Sequence, residues 1–508
     1  MLLRSGIIVA FYTLISRVFG FIREFLIAAI FGTSALADCV NVAFKFPNLF
    51  RRVFGEGALS ASFIPIFSEK LYGNIKWPGQ IFASKVFTLL VFVLMILTLV
   101  VEIIMPYIVL VISPGFYNDK EKFELAVTLC RITTPYLIFV SVTALFGAIL
   151  NTIRRFAAFA FVPIIMNLCV IIIAYFLQEP NNAAYGICYS LIFAGILQVM
   201  FMYYYLNKFG FNLMVIFAPK EKEVVQLIKN MGPATLSSGA QQLNLFISSA
   251  LASFLPGAVS VLSYADRLYQ LPLALIGVTF STILLPRLSF IYKEKNFDQA
   301  NYIQNKSIQI GLMLSVPAMI GLFALSKPII HIIYERGHFS AEDTIRTAEA
   351  LAAFTFGLPS FIIAKIITPI YYANLDTRTP YRIALYSLFI NTVLNIILMI
   401  PFGHIGIALG SSIAGWINAF LLYKYAKQYG DFQITKETKN FVFKVSLSSL
   451  CMMMFITLIV TYYDYMFYSN VFLVKLGVLC GTIIGSIIIF LAVSYFLKMH
   501  IVLLKKLE

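Results

Sequence analysis

Arg17, Arg23, Lys45, Arg51 and Arg52 stand inside apolar sequence between Ser16 and Glu56, interleaved with Glu24, Asp38 and Glu56. A guanidinium grips two phosphate oxygens in one fork and stays charged at any working pH. Arginines gathered in one place are therefore suited to binding diphosphates and similar polyanions. Each cation at bilayer depth costs about 3 kcal/mol, so five cost on the order of 15 kcal/mol in lipid. Such a set must face a wet cavity inside a helix bundle. Helical spacing sorts the set further. Asp38, Lys45 and Arg52 are seven apart and share a face, which Glu56 continues, while Arg51 lies about 100° away. Ser16 and Arg23 share one face of the first apolar segment, and Arg17 and Glu24 share another. Further on, "VLSYADRLYQLP" places Asp266 and Arg267 in the middle of an apolar segment. The pairs Arg17–Glu24, Asp38–Lys45, Arg52–Glu56 and Asp266–Arg267 could each be plain bundle stabilisers. Taken together, however, Arg17, Arg23, Lys45, Arg51, Arg52 and Arg267 against Glu24, Asp38, Glu56 and Asp266 leave a surplus of 6 − 4 = 2 cations. A surplus in a low-dielectric site calls for water or an anionic ligand.

The elements that must position these groups are membrane helices. Of 508 residues, 60% are apolar and 12% charged, with a mean hydropathy of +0.88, a composition that excludes a soluble domain. The apolar runs are continuous rather than alternating, which excludes a β-barrel. Runs of about 20 apolar residues fall near 6–31, 37–67, 80–112, 124–151, 157–177, 184–206, 224–254, 258–290, 302–331, 345–374, 380–400, 404–426, 440–462 and 471–497, fourteen candidate spans. The net charge of +15 reads as topology rather than as a nucleic-acid footprint. With a cytoplasmic N-terminus, most loop lysines and arginines, from Arg4, Lys70 and Arg154 to Lys505 and Lys506, fall on the cytoplasmic face. The opposite loops carry Lys120, Lys122, Lys327, Arg336 and Arg346. Both termini are expected to be cytoplasmic. The first segment reads as a retained helix, because Arg17 and Arg23 interrupt it and no small-residue cleavage site precedes them. The six cysteines show no metal-ligand spacing and read as small packing residues. No phosphate-binding loop, nucleophile elbow or acidic metal cluster appears, so no enzyme is expected.

The chain repeats itself at a lag near 222. Pro65 pairs with Pro286, Pro135 with Pro359, Asn151 with Asn374, Asn167 with Asn391, Pro180 with Pro401, and Gly186 with Gly406. Six spans per copy make the copies parallel, and transporters of this build hold substrate between the halves near the midplane. The expected organisation is an N-lobe at 1–206, an amphipathic linker on the membrane surface at 207–223, a C-lobe at 224–428, and two added spans at 429–508.

These residues resemble the MurJ (MviN) family of lipid II flippases, within the MATE-like exporter superfamily. The carrying text is "SRVFGFIREFLIAAIFG", "ADCVNVAFKFPNLFRRVFGEGALSASFIPIFSE", "GPATL" and "YADRLYQLPLALIGVTFSTILLP". The resemblance spans the chain and is most specific in its first seventy residues. It implies export of the undecaprenyl-diphosphate-linked peptidoglycan precursor, lipid II, from the cytoplasmic to the periplasmic leaflet of the bacterial inner membrane. It also implies alternating access through a cationic cavity, a tail groove formed with the last two spans, and the cell-wall synthesis machinery as partner. Ser16, Arg17, Arg23, Asp38, Asn48, Arg51, Arg52, Glu56 and Arg267 stand at family motif positions for handling substrate, and Lys45 joins them on the Asp38 face. Glu24 stands where many members have Asp, and Gln270 where some have Glu. "QQLNLFISSALAS" lacks the acid that some members use for sodium. Asp376 and Thr392 are then the remaining candidates for a monovalent cation such as Na+, and the membrane potential is the other source of drive. A two-lobe exporter of oligosaccharide-lipids or drugs is the alternative. A drug antiporter should show cavity acids in surplus, and here bases are in surplus.

Overall fold

The computed structural model describes residues 2–50, 59–71, 77–430 and 432–499. Those residues form helices and no strands. Contacts divide the chain into two compact units, Met1–Ser260 with Gly337–Phe339, and Val261–Arg336 with Ser340–Glu508.

The first unit opens with α1 (Leu2–Phe31). Gly32, at φ 57°, turns the chain into α2 (Ala35–Phe50), and α3 (Ser60–Leu71) follows. Of the span expected at 37–67, α2 and α3 are described, and 51–58 lie outside the described residues. Next come α4 (Trp77–Ile112), a 3-10 turn at Pro114–Asn118, α5 (Lys120–Thr133), α6 (Tyr136–Thr152), α7 (Phe156–Phe176), α8 (Pro180–Lys208) and α9 (Lys222–Ala252). Its core joins α3, α4, α6 and α8, where Phe63 stacks on Phe67 at 5.0 Å and on Phe82 at 5.5 Å.

The second unit contains most of α10 (Ala258–Lys293), then α11 (Phe297–Ala324), α12 (Ser326–Tyr334), α13 (Ala341–Thr355), α14 (Leu358–Ala373), α15 (Arg378–Ala426), α16 (Lys436–Tyr462), the short α17 (Asp464–Phe467) and α18 (Phe472–Phe496). The last helices are tied on by a polar knot. Asn305 of α11 accepts from the Thr435 N–H at 3.0 Å and from the Thr438 hydroxyl at 2.8 Å, and donates to the Gln433 carbonyl at 2.9 Å.

The repeat is visible in where helices begin. Trp77 and Phe297, Lys120 and Ala341, Tyr136 and Leu358, and Phe156 and Arg378 open corresponding helices, 220 to 222 residues apart. Among the described residues, ten helices are long and apolar enough to cross a membrane, against fourteen expected. The differences have local causes. The second half of α1 carries Arg17, Arg23 and Glu24, and α9 is diluted by Ser, Gln and Asn. The spans expected at 380–400 and 404–426 run together as α15, whose helical path breaks at Gly403 (φ 57°, ψ −131°).

The connection after α8, within the linker expected at 207–223, is largely non-helical. Gly210, at φ 84°, ends α8, and residues 211–218 run without helix. Pro219 disfavours helix at the residue before it. The backbone is instead held by a stripe on α4: Gln80 Nε2 donates to the Asn212 carbonyl at 2.5 Å, the Met214 N–H donates to Ser84 Oγ at 3.1 Å, and the Ile216 N–H donates to Thr88 Oγ1 at 2.9 Å. Four helical residues rise about 6 Å and two extended residues about 6.6 Å, so the two periods match. Lys85–Glu221 and Lys70–Glu223 ion pairs close the strap, and the Lys70 ammonium holds the Glu223 carboxyl below its usual range.

Candidate anion-binding residues

The middle of α1 is tied to α7 through one asparagine. Arg23, 6% exposed, donates from Nη1 to Asn167 Oδ1 on α7 at 3.0 Å and from Nη2 to Glu24 Oε1 at 2.5 Å. Its guanidinium carbon lies 5.7 Å from the centre of the Phe44 ring on α2. Asn167 Nδ2 in turn donates to the Ser16 carbonyl at 3.1 Å. Ser16 and Arg23, predicted to share a face, are thus bound to one asparagine, and that face is turned toward α7. The acid beside them pairs with Arg23, where the spacing suggested Arg17. Arg17 is exposed and makes no ion pair or hydrogen bond among the described residues.

Asp38 is fully buried and saturated with donors. Its Oδ2 accepts from Lys122 Nζ at 2.8 Å and the Gly257 N–H at 3.1 Å, and its Oδ1 from the Ser260 N–H at 2.9 Å and hydroxyl at 2.8 Å. Lys122 also lies over the Phe116 ring at 4.2 Å. This carboxylate joins α2, the start of α5 and the turn into α10. The Asp38–Lys45 pairing that shared-face geometry allowed is replaced by Asp38–Lys122, and Lys45 reaches Ser249 Oγ on α9 at 3.4 Å. Asn48 donates to the Phe44 carbonyl of its own helix at 2.9 Å. Arg51, Arg52 and Glu56 lie outside the described residues. Arg267 is on α10 in the second unit and is exposed, and one turn further Gln270 donates to Asp266.

Asp376 and Thr392 are not brought together. Asp376 precedes α15 and its Oδ1 accepts from the Arg378 and Thr379 N–H groups at 3.0 Å, its Oδ2 from the Tyr429 hydroxyl at 2.6 Å. Burial pushes this carboxyl upward, but the bonds from Thr379, Tyr429 and Arg378 outweigh it and the net direction is down. Thr392 donates to Leu388 one turn back on α15. Fourteen residues of α15, from Arg378, lie between them, a rise of about 21 Å at 1.5 Å per residue. Among the described residues no group of His, Cys, Asp and Glu is arranged to hold a metal ion.

Sequence reasoning missed Asn167 and Lys122 as partners. Asn167 had a signal: it is a lone amide in the otherwise apolar α7. Lys122 had none, because 84 residues separate it from Asp38.

The family model described as lipid II flippase MurJ matches residues 27–479. The probable lipid II flippase MurJ of Rickettsia prowazekii (strain Madrid E) is 52% identical over 497 residues, covering 98% of each chain. The probable lipid II flippase MurJ of Rhizobium tropici is 39% identical over 83% of this chain and 80% of its own. Among solved structures, lipid II flippase MurJ in an inward closed conformation superposes with a TM-score of 0.81 at 30% identity, covering 98% of this chain and all of that one. An inward-facing multidrug resistance MATE family transporter of the MOP superfamily gives 0.66 at 14% identity over 85% of this chain, a likeness of fold.

Proposed function

The chain belongs to the lipid II flippase MurJ family, and from that membership we propose that it flips lipid II, the polyprenyl-diphosphate-linked peptidoglycan precursor, across a bacterial inner membrane. The reading is carried by one observation: the family model matches residues 27–479, and a relative 52% identical is matched over 98% of the chain. The substrate leaves the inner leaflet and reaches the outer leaflet unchanged, so the chain is a transporter and makes or breaks no bond. Arg17 of the first unit and Arg267 of the second are each exposed cations of the type that grips phosphate oxygens. Arg23 is held by Asn167 and Glu24, and its role is to fix the helix that carries the exposed Arg17. The site is exposed alternately to the two faces of the membrane, with both termini cytoplasmic as the loop charges favour. The membrane potential returns the empty, positively charged carrier.

The test is depletion in the native host with complementation. Cells relying on the wild-type chain should expose lipid II on the outer leaflet. Cells relying on Arg267→Gln should accumulate it on the inner leaflet, with a rate loss of at least about tenfold for one charge-assisted phosphate contact of roughly 1.5–3 kcal/mol. Normal outer-leaflet exposure in the depleted, uncomplemented cells would overturn the reading.

A further inference from the structure

We propose that the first unit carries a second anion site, a cleft at the α6–α7 turn that takes the phosphate of a lipid headgroup or of a soluble diphosphate. The cleft is about 630 Å³ and is lined by Ile64 and Ser68 of α3, Asn151 and Thr152 at the end of α6, and Arg154 in the turn. Ser68 and Thr152 donate their hydroxyl protons to the carbonyls of Ile64 and Ala148, at 2.7 and 2.8 Å, within their own helices. The Asn151 amide and the Arg154 guanidinium are different. Among the described residues neither side chain has a hydrogen-bond or ion-pair partner, so both keep their donors for a ligand. The acid of α3, Glu69, is one residue from Ser68 and projects about 100° away from it.

The second repeat shows what this turn lacks. Arg154 (φ 61°) and Leu375 (φ 59°) occupy the same left-handed step after α6 and α14. The next residue in each, Arg155 or Asp376, donates its N–H to a carbonyl five residues back, Leu150 or Tyr371, at 2.8 and 2.9 Å. In the second repeat that residue is a carboxylate, which accepts from two backbone N–H groups and a tyrosine. In the first repeat it is Arg155, whose guanidinium lies over the Phe209 ring at 4.6 Å, and no side chain caps α7. One turn supplies its own anion. Its counterpart substitutes a second guanidinium beside an open cleft, and a phosphate from outside meets the donors that remain. Loop arginines placed only by membrane topology would need neither the cleft nor the unpartnered amide.

Hydrogen exchange on the full chain in nanodiscs reads this site locally, whether or not the chain flips a lipid. Two probes separate the sources: sodium pyrophosphate added to phosphatidylcholine discs, and phosphatidylglycerol discs with no added anion. Exchange of the amides at 152–158 should slow by about tenfold at a probe concentration ten times Kd. Slowing with pyrophosphate assigns a soluble diphosphate, and slowing with phosphatidylglycerol alone assigns a lipid headgroup. Arg154→Gln with Arg155→Gln should reduce the response to less than about twofold on the same scale. Arg155→Asp copies the second repeat. It should protect the first turn of α7 without a probe and abolish the response, so loss of folding cannot imitate it. No slowing with either probe, or slowing that survives in the double variant, overturns the proposal.

Discussion

At the scale of single residues, the charges of α1 and α2 fall into two kinds that their spacing did not distinguish. Arg23 and Asp38 are buried and bonded, whereas Arg17 is exposed and unpaired among the described residues. Removing one partner of a buried ion pair costs about 3–5 kcal/mol, because the other charge is left without compensation. Arg23→Ala should therefore lower the thermal unfolding midpoint as well as transport. Arg23→Gln combined with Glu24→Gln removes both charges and should recover most of that stability while transport stays low. If the double variant melts like Arg23→Ala, Glu24 is not the group Arg23 compensates. The sequence made the charged stretch conspicuous, since cations in apolar runs are costly wherever they sit. It could not show which acid each base meets. Helical periodicity finds partners on one helix, and Asp38 takes its cation from α5, 84 residues away.

At the scale of elements, hydropathy located the spans well where a helix is apolar throughout, as in α4, α7 and α18. It was weaker for α1 and α9, where charged or polar residues interrupt the run, whereas α5–α6 and α13–α14 each bend yet form one span, as their continuous apolarity predicts. The strap at 211–218 was hidden for another reason. Its backbone bonds at alternate residues, 212, 214 and 216, as a strand does, yet its ladder comes from side chains of α4 rather than from a second strand. Non-helical backbone near a bilayer needs every N–H and C=O satisfied within the protein. Ser84 and Thr88 meet that need doubly, since each donates to the carbonyl four residues back and accepts from the strap. Ser84→Val with Thr88→Val should cost about 1–3 kcal/mol for each unpaired N–H. Hydrogen exchange at Met214 and Ile216 should then accelerate while the core amides of α6 stay protected. Unchanged protection at those two residues would mean that the hydroxyls do not hold the strap.

Across the whole molecule the decisive quantity is charge relative to the membrane field. The net charge of +15 is carried largely by loops, and its distribution is the ground for the proposed cytoplasmic termini. In the proposed cycle, an anion with two negative charges would cancel the surplus of two cations counted in the sequence. The loaded and empty carriers then respond differently to voltage. Moving one charge across 100 mV is worth about 2.3 kcal/mol, so an inside-negative potential favours the return of the empty form and acts little on the loaded form. In proteoliposomes with the cytoplasmic face inward, lipid II exposure under multiple turnover should rise with an inside-negative potassium diffusion potential, whereas a single turnover should not. Arg267→Gln removes one of the cations counted in the surplus, and its residual multiple-turnover rate should depend less steeply on voltage than the wild type. A rate indifferent to potential, or a voltage slope unchanged by that substitution, would separate the transport cycle from the cation surplus and require a coupling ion in its place.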